Sequence, residues 1–302
     1  MRRLRFLPEG HSLVEVTCRT IHGRPLLQPS PELNEIILGV LGRVQKRYSI
    51  GICGFAFVST HFHLILAVPD VRQLANFMRD FDGKLAKEVG RLVAWKDKVW
   101  ARRYQAIPIS LEEAAQVERF AYLLGHGVKE GLVSRVRDWP GVHCVRALLE
   151  GETLEGYWFD RTKEYAARQR RQSFQRLTYA EKEVVVLQPL PCWEHLSKEE
   201  YQKRVADLVE QIETKARDER GSTGEEVRPL EARHPHERPA RLKKSPAPAF
   251  HAASRDMRLR FHDMYKAFVG LFREAAEKLK VGDRLAVFPP GSFPPHLPFA
   301  AA

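Results

Sequence analysis

The spacing of apolar residues predicts alternating strands and helices in the first half of the chain. Residues 13–20 alternate apolar and polar side chains, which is the period of a half-buried strand. Residues 31–48 carry apolar side chains at helical spacing, with Pro31 near the helix start. Two short runs rich in β-branched and aromatic residues, 50–59 and 61–68, follow almost without a gap and predict a β-hairpin.

The same reading predicts a second helix, a fourth strand and a third helix. Residues 70–92 carry one apolar stripe, with Asp70 as a candidate N-cap. Residues 100–109 predict a strand, and Ser110 with Glu113 matches a capping box that opens a helix running toward Leu132. The order β-α-β-β-α-β-α predicts an α+β fold, a ferredoxin-like (RRM-like) antiparallel sheet with helices on one face.

The periodicity weakens after about residue 150. Residues 196–220 and 255–279 return to helical spacing, whereas 221–250 are rich in Arg, Pro and His and typical of a flexible linker. We therefore expect a mainly helical C-terminal extension to the first domain. The expected parts are a domain at 1–150, a helical extension at 151–220, a basic Pro-rich linker at 221–250, and a C-terminal helix with a Pro-rich tail at 251–302.

Charge narrows the class of partner. The 302 residues include 49 Lys and Arg against 38 Asp and Glu, so the formal net charge is +11 and a polyanion is expected. Basicity alone does not separate DNA, RNA and anionic lipid. Candidate phosphate contacts in the linker are Arg238, Arg241, Lys243 and Lys244.

Cysteine spacing and apolar runs bear on location. The four Cys residues lie far apart with no C-x-x-C pair, which argues against a zinc ribbon and against a disulfide-stapled secreted domain. The sequence shows neither a signal-peptide pattern nor an apolar run long enough for a membrane span. These features predict a protein of the reducing cytosol.

Two short patterns contain candidate catalytic chemistry. His61 and His63 flank Phe62 at the start of the predicted third strand, so both imidazoles project from one face. Imidazole is a good ligand for divalent transition metals, although hydrogen-bonded His pairs on a strand are also common. Further along, Tyr122 and His126 lie four residues apart and share a helix face. Without a catalytic role, Tyr122 would be a core aromatic residue and His126 a surface histidine.

These motifs together resemble the single-tyrosine HUH transposases of small insertion sequences, and most closely their REP-associated branch. The resemblance covers about residues 1–150. It rests on His-Phe-His at 61–63, Tyr122, the Lys129–Val133 segment, Trp100–Tyr104, and Asp138–Pro140. The chain departs from the family at His126-Gly127, where Asn-Pro is common, and at Ser59-Thr60, where Pro and Asn or Glu are often found.

The resemblance implies a DNA transposase that cleaves and rejoins single-stranded or hairpin DNA. Tyr122 matches the nucleophile that forms a 5′-phosphotyrosine link, and His61 and His63 match the metal ligands. His126 takes the position where the family uses Gln or Asn as the third ligand. It further implies Mg²⁺ or Mn²⁺ as cofactor, action as a monomer or a swapped homodimer, and a cytoplasmic, nucleoid-associated location. A phenol with a pKa near 10 needs such activation to attack a phosphodiester at neutral pH.

Basic and aromatic residues near these motifs are candidate DNA contacts. Trp100, Arg102 and Tyr104 share one face of the predicted fourth strand and suit phosphate binding and base stacking. Arg103 adjoins them, and Lys129 faces the same side as Tyr122, where it can hold a phosphate or lower the pKa of the tyrosine. Tyr104 is the rival nucleophile. The alternative function is a non-catalytic ferredoxin-like binder of RNA or DNA with a structural His pair.

Overall fold

A computed structural model of the chain describes residues 5–8, 10, 12–224, 226–228, 233–239, 248–292 and 294. Arg241, Lys243 and Lys244 of the predicted phosphate-binding arm lie outside these residues, as does the end of the Pro-rich tail. Within the described ranges, no helix is both long and apolar enough to cross a membrane.

Four antiparallel strands form the central sheet. They are β1 (Leu13–Arg19), β2 (Gly51–Val58), β3 (His61–Ala67) and β4 (Gln105–Pro108), in the spatial order β2-β3-β1-β4. β1 pairs with β3 along its full length, with Leu13 opposite Ala67 and Arg19 opposite His61. This strand order, with helices between β1 and β2 and between β3 and β4, is the ferredoxin-like topology and confirms the predicted fold class.

Two helices cover one face of this sheet. In α1 (Pro31–Tyr48) the Ser30 Oγ accepts the Leu33 N–H at 3.2 Å, and in α2 (Val71–Leu92) the Asp70 carboxylate caps the start of the helix. Phe62 of β3 packs on Phe81 of α2, with ring centroids 5.5 Å apart. Because side chains alternate along a strand, the neighbours of Phe62 project from the opposite face, away from α2.

The strand and helix after α2 are shorter than the sequence predicts. β4 begins at Gln105. Before it, Trp100 forms an isolated antiparallel bridge with Thr20, and residues 101–103 form a bend beside the end of β1, where the Ala101 N–H donates to the Arg19 carbonyl. α3 (Glu113–Leu124) ends at Gly125 rather than near Leu132. The chain then turns at Gly127, whose φ of +90° and contact with the Trp139 ring leave no room for a side chain.

The predicted capping box is also wrong. Glu112, not Ser110, precedes the first helical residue of α3, and it caps without a side-chain bond to that helix. The Ser110 hydroxyl donates to the Glu112 carboxylate at 2.7 Å, and the Ser110 N–H donates to the carbonyl of His251. Ser110 therefore extends the edge of the sheet instead of beginning a helix.

The region after residue 144 adds a two-stranded sheet that the sequence pattern did not predict. The elements of this region are α4 (Val145–Glu150), β5 (Leu154–Phe159), α5 (Arg161–Gln169), β6 (Ala180–Val185) and α6 (Lys198–Thr223). β5 and β6 pair antiparallel and pack against α1. A Cβ added at Gly39 would lie 2.1 Å from the carbonyl carbon of Tyr157, so helix and strand meet backbone to backbone. The predicted start of α6 is confirmed by a capping box between Ser197 and Glu200.

The C-terminal segment returns to the first domain. His251 pairs in parallel with Ile109, just beyond β4, and its N–H donates to the Pro108 carbonyl at 2.8 Å. α7 (Arg255–Lys280) begins four residues later, after its N-cap Ser254, which confirms the predicted helix. The aromatic stripe of α7 packs on Phe6, with Tyr265 and Phe6 ring centroids 5.4 Å apart. This extension is therefore docked on the edge of the central sheet.

Candidate metal and tyrosine site

The face of the sheet opposite α2 presents the His-x-His pair. His61 and His63 are the first and third residues of β3, and their ring centroids lie 5.2 Å apart. Phe62, between them, packs on the other face against Trp100 and Phe81. Strand alternation thus places the two imidazoles as the sequence predicts.

His126 joins the pair from the end of α3. It lies just beyond the last helical residue, and its ring centroid is 4.4 Å from that of His63 and 5.6 Å from that of His61. One ring nitrogen from each histidine falls within 4.8 Å of the others. The structure therefore brings together all three histidines that the sequence proposed as ligands.

Each of the three rings has its Nδ1 atom engaged. Nδ1 of His61 lies 3.0 Å from the Thr60 hydroxyl, Nδ1 of His63 lies 2.8 Å from Glu15 Oε1, and Nδ1 of His126 lies 2.9 Å from the Tyr122 carbonyl. An imidazole that donates through Nδ1 to a carboxylate or carbonyl keeps its Nε2 lone pair for a metal ion. This donor set fits a divalent cation.

The charge state of the rings suits the same purpose. Burial, followed by the charges of His63 and His126, holds the pKa of His61 well below its usual range. Burial, followed by the charge of His63, lowers the pKa of His126 to about 3. Both rings are therefore neutral at pH 7, the form in which imidazole binds metals.

A buried carboxylate orients His63, the middle candidate ligand. Glu15 on β1 is 2% exposed, and besides His63 it accepts hydrogen bonds from Arg119 Nε at 2.9 Å and Arg119 Nη2 at 3.2 Å. Burial alone would raise the pKa of Glu15, but the contacts of His251, His63 and Arg119 hold it well below its usual range. Glu15 is therefore an ionised acceptor for the His63 ring.

Tyr122 lies in the last turn of α3 beside the histidines. Its ring centroid is 4.9 Å from that of His126 and 5.6 Å from that of His63. The Arg119 guanidinium lies 4.1 Å from the ring centre and the Lys129 ammonium 4.4 Å. The phenol is thus held between two cations and the imidazole cluster.

The acidity of Tyr122 differs from the expectation for Lys129. Burial, followed by the charge of Glu15, raises the pKa of Tyr122 above its usual range, and Arg119 only partly opposes this. From the sequence, Lys129 was expected to hold a phosphate, to lower this pKa or to be an ordinary solvated lysine, and the net direction of the pKa shift is upward. The phenol is accordingly protonated in the resting site at neutral pH.

The predicted DNA contacts of residues 100–104 do not share a strand face, because these residues precede β4. Trp100 packs on Phe62 and donates its indole N–H to the Asp82 carbonyl at 2.9 Å. Tyr104 is 6% exposed, and burial raises its pKa to about 12. Arg102 and Arg103 are exposed. The arginines are therefore better placed for a ligand than the two aromatic rings.

Sequence reasoning missed the residues that support the site. From the sequence there was only a weak indication that Glu15 belongs to the site, because it is a carboxylate at an alternating position of a predicted strand. Arg119 lies one helical turn before Tyr122 but looks like an ordinary surface charge. Thr60 gave no signal in the hairpin turn, and His251 gave none because it follows the linker.

Comparisons with known proteins give structural neighbours only. No family model matches the chain, and no curated protein matches it. Similar solved structures include a REP-associated tyrosine transposase bound to a REP hairpin, which is 18% identical, covers 50% of this chain and 87% of its own, and superposes with a TM-score of 0.42. A candidate transposase from Deinococcus radiodurans R1 is 14% identical, covers 40% of this chain and 96% of its own, and gives a TM-score of 0.29. Both are described as transposases, the class that the sequence motifs resemble.

Proposed function

We propose that this protein is a transposase-like enzyme that cleaves and rejoins single-stranded or hairpin DNA through Tyr122. His61, His63 and His126 would hold the divalent cation. The observation that carries the proposal is that one chain gathers a phenol and three imidazoles on one face of the sheet, with one ring nitrogen of each histidine within 4.8 Å of the others. This combination suits attack on a phosphodiester.

The donor set discriminates between the two expected cations. Mg²⁺ prefers oxygen ligands in near-octahedral geometry, whereas imidazole suits Mn²⁺ and later transition metals. Three histidines therefore favour Mn²⁺ over Mg²⁺. A bound divalent cation would polarise the phosphate oxygens and stabilise the charge that develops during attack.

The reaction is a transesterification with no water and no external energy source. The Tyr122 oxygen bonds to phosphorus, the bond from phosphorus to the 3′ oxygen breaks, the phenol loses its proton, and the leaving 3′ oxygen gains one. The products are a 5′-phosphotyrosine and a free 3′-hydroxyl, with one phosphoester bond exchanged for another. Reversal by a second 3′-hydroxyl joins strands.

The cations around the phenol suit the polyanionic substrate. Arg119 and Lys129 lie over the Tyr122 ring, so a phosphate drawn to them approaches the nucleophile. The backbone N–H of Ala101, just before Arg102 and Arg103, donates to the carbonyl of Arg19. Arg19 lies opposite His61 in the pairing of β1 with β3. This places the exposed arginines at the same end of the sheet as the histidines. We propose that Arg102, Arg103 and Lys129 contact DNA phosphates, and that Trp100 and Tyr104 mainly support that segment by packing.

One chain suffices for the proposed site. Tyr122 and the three histidines belong to the same chain, and their rings are already adjacent. We therefore propose catalysis by a single chain rather than by a swapped pair. The protein would act in the cytoplasm at the nucleoid, where its DNA substrate lies.

The test is covalent capture of DNA. The full chain is incubated with single-stranded hairpin DNA and Mn²⁺, with the label at the 3′ end in one reaction and at the 5′ end in another. A 5′-phosphotyrosine link leaves the 3′ label on the protein and releases the 5′ label. Tyr122→Phe should abolish the adduct, and Tyr104→Phe, the matched change at the rival tyrosine, should leave it intact.

Three results would contradict the proposal. Adduct formation by Tyr122→Phe would exclude Tyr122 as the nucleophile. Loss of the adduct only in Tyr104→Phe would transfer that role to Tyr104. DNA binding that survives EDTA, with no adduct under any divalent metal, would support a non-catalytic nucleic-acid binder.

A further inference from the structure

His251 connects the C-terminal segment to the candidate metal centre. It follows the linker and precedes α7, far from the motifs in sequence, yet its Nε2 atom lies 2.9 Å from Glu15 Oε2. Its side chain is 14% exposed and that of Glu15 is 2% exposed. The two atoms are close enough for strong electrostatic attraction but lack the angle of a hydrogen bond. Because the contact is largely shielded from water, the attraction to the ionised carboxylate is weakly screened.

The contacts of Glu15 divide between its two oxygens. Oε1 accepts the His63 ring N–H and one Arg119 N–H, while Oε2 faces the other Arg119 N–H and His251. His63 and His251 thus hold opposite oxygens of one carboxylate. Without His251, a single residue, Arg119, would fix the Oε2 side.

The backbone of His251 is anchored independently of this contact. Its N–H donates to the Pro108 carbonyl at 2.8 Å, and its carbonyl accepts the Ser110 N–H at 2.9 Å. Two residues later, the Glu112 carboxylate accepts the N–H groups of Ala253 and Ser254 at 2.9 and 3.0 Å. Docking of the C-terminal segment therefore sets where the His251 ring lies.

We propose that His251 is a positioning residue for the metal centre. It holds Glu15, and through Glu15 the ring of His63, in the orientation that presents His63 Nε2 to the cation. The C-terminal segment is on this view part of the site and not an appended module. This inference rests on the metal centre of the proposed function and deepens it.

The expected loss of metal affinity depends on how many contacts separate His251 from the cation. Loss of a group that hydrogen-bonds a ligating histidine weakens metal binding by about 10–100-fold. His251 acts one contact further out, so its loss should approach the lower end, about tenfold. A glutamine can still donate an N–H toward Glu15, so His251→Gln should bind metal within about twofold of the wild type.

The experiment measures metal binding without DNA. The full chain and the His251→Ala, His251→Gln and His262→Ala variants are titrated with Mn²⁺ by calorimetry, and the visible spectrum of each Co²⁺ form is recorded. His262 is the matched control, because it lies on α7 with a side chain 65% exposed and its Nδ1 atom is 3.6 Å from the exposed Asp263 carboxylate. We expect the Mn²⁺ dissociation constant to rise about tenfold in His251→Ala only, with an altered Co²⁺ band that the Gln variant restores.

Other outcomes overturn the inference. If His251→Ala keeps the wild-type affinity and Co²⁺ spectrum, or if the wild type binds no Mn²⁺, His251 does not position a ligand. If His251→Ala unfolds, the test uses His251→Gln and the NMR resonance of the His63 imidazole N–H. A positioning role requires this resonance to keep its wild-type position in His251→Gln, and a shifted resonance would refute that role. A protein that binds Mn²⁺ in a His251-dependent way but forms no phosphotyrosine would refute the proposed function alone. An active enzyme indifferent to His251 would refute this inference alone.

Discussion

Replacing Glu15 with glutamine tests the buried carboxylate that contacts both Arg119 and the proposed metal ligand His63. The substitution keeps the shape of the side chain and removes its charge. In the wild type, Glu15 accepts hydrogen bonds from His63 at 2.8 Å and from Arg119 at 2.9 and 3.2 Å. A glutamine amide has only one acceptor oxygen, so its NH₂ group must face one of these two donors.

The expected losses follow from that mismatch. The Arg119 side chain is 14% exposed and would lose its anionic partner. Removing one member of a buried ion pair costs about 3–5 kcal/mol, and since glutamine keeps one acceptor we expect about 2 kcal/mol. Because Glu15 also orients a proposed ligand, the Mn²⁺ dissociation constant should rise by about 10–100-fold.

Two measurements check these values. Urea unfolding gives the free energy of unfolding, and calorimetry gives the Mn²⁺ affinity. Glu155→Gln is the matched control, because Glu155 pairs with Lys182 at 2.7 Å on the surface, with side chains 43% and 54% exposed, and should change stability by less than about 0.5 kcal/mol. An unchanged Mn²⁺ affinity in a destabilised Glu15→Gln protein would show that Glu15 is structural and refute its role at the metal centre.

Two further substitutions test the fold. Gly39→Val should destabilise the protein by about 1–3 kcal/mol or more, because the new Cβ would lie 2.1 Å from the Tyr157 backbone. Gly83 has nothing within 4 Å of the Cβ position, so Gly83→Ala should be neutral or stabilising in the same thermal melts. Equal melting temperatures for the two variants would contradict the backbone contact between α1 and β5. Burial raises the pKa of Asp82 to about 8, so its folded form favours the protonated acid and its ionisation opposes folding as pH rises from about 4 to 8. Asp82→Asn cannot ionise, so in urea unfolding it should be more stable than the wild type by a few kcal/mol at pH 8 and only slightly more stable at pH 4. A gain of equal size at both pH values would count against burial of an ionisable acid.

The sequence by itself determined the elements whose signals are local. α1 begins and ends where Pro31 and the apolar stripe predict, and α2 starts after Asp70 as expected, because caps and helical spacing act within one or two turns. The alternation of β3 was enough to place His61 and His63 on one face. The spacing of Tyr122 and His126 likewise predicted that their side chains are neighbours, and their rings are 4.9 Å apart.

Only the tertiary structure decided the elements and contacts that depend on distant partners. β4 is short because its register with β1 covers four residues, opposite Val14–Thr17, and β5 and β6 form where α1 offers a glycine surface. Glu15, Arg119 and His251 meet at one carboxylate although each, read alone, resembles a solvated surface residue. Hydrophobic period is a property of neighbouring residues, whereas an ion pair in the interior exists only once the chain has folded and excluded water from it. The face that carries His61 and His63 could therefore be predicted from the sequence, whereas the residues that contact His63 and Glu15 from distant segments could not.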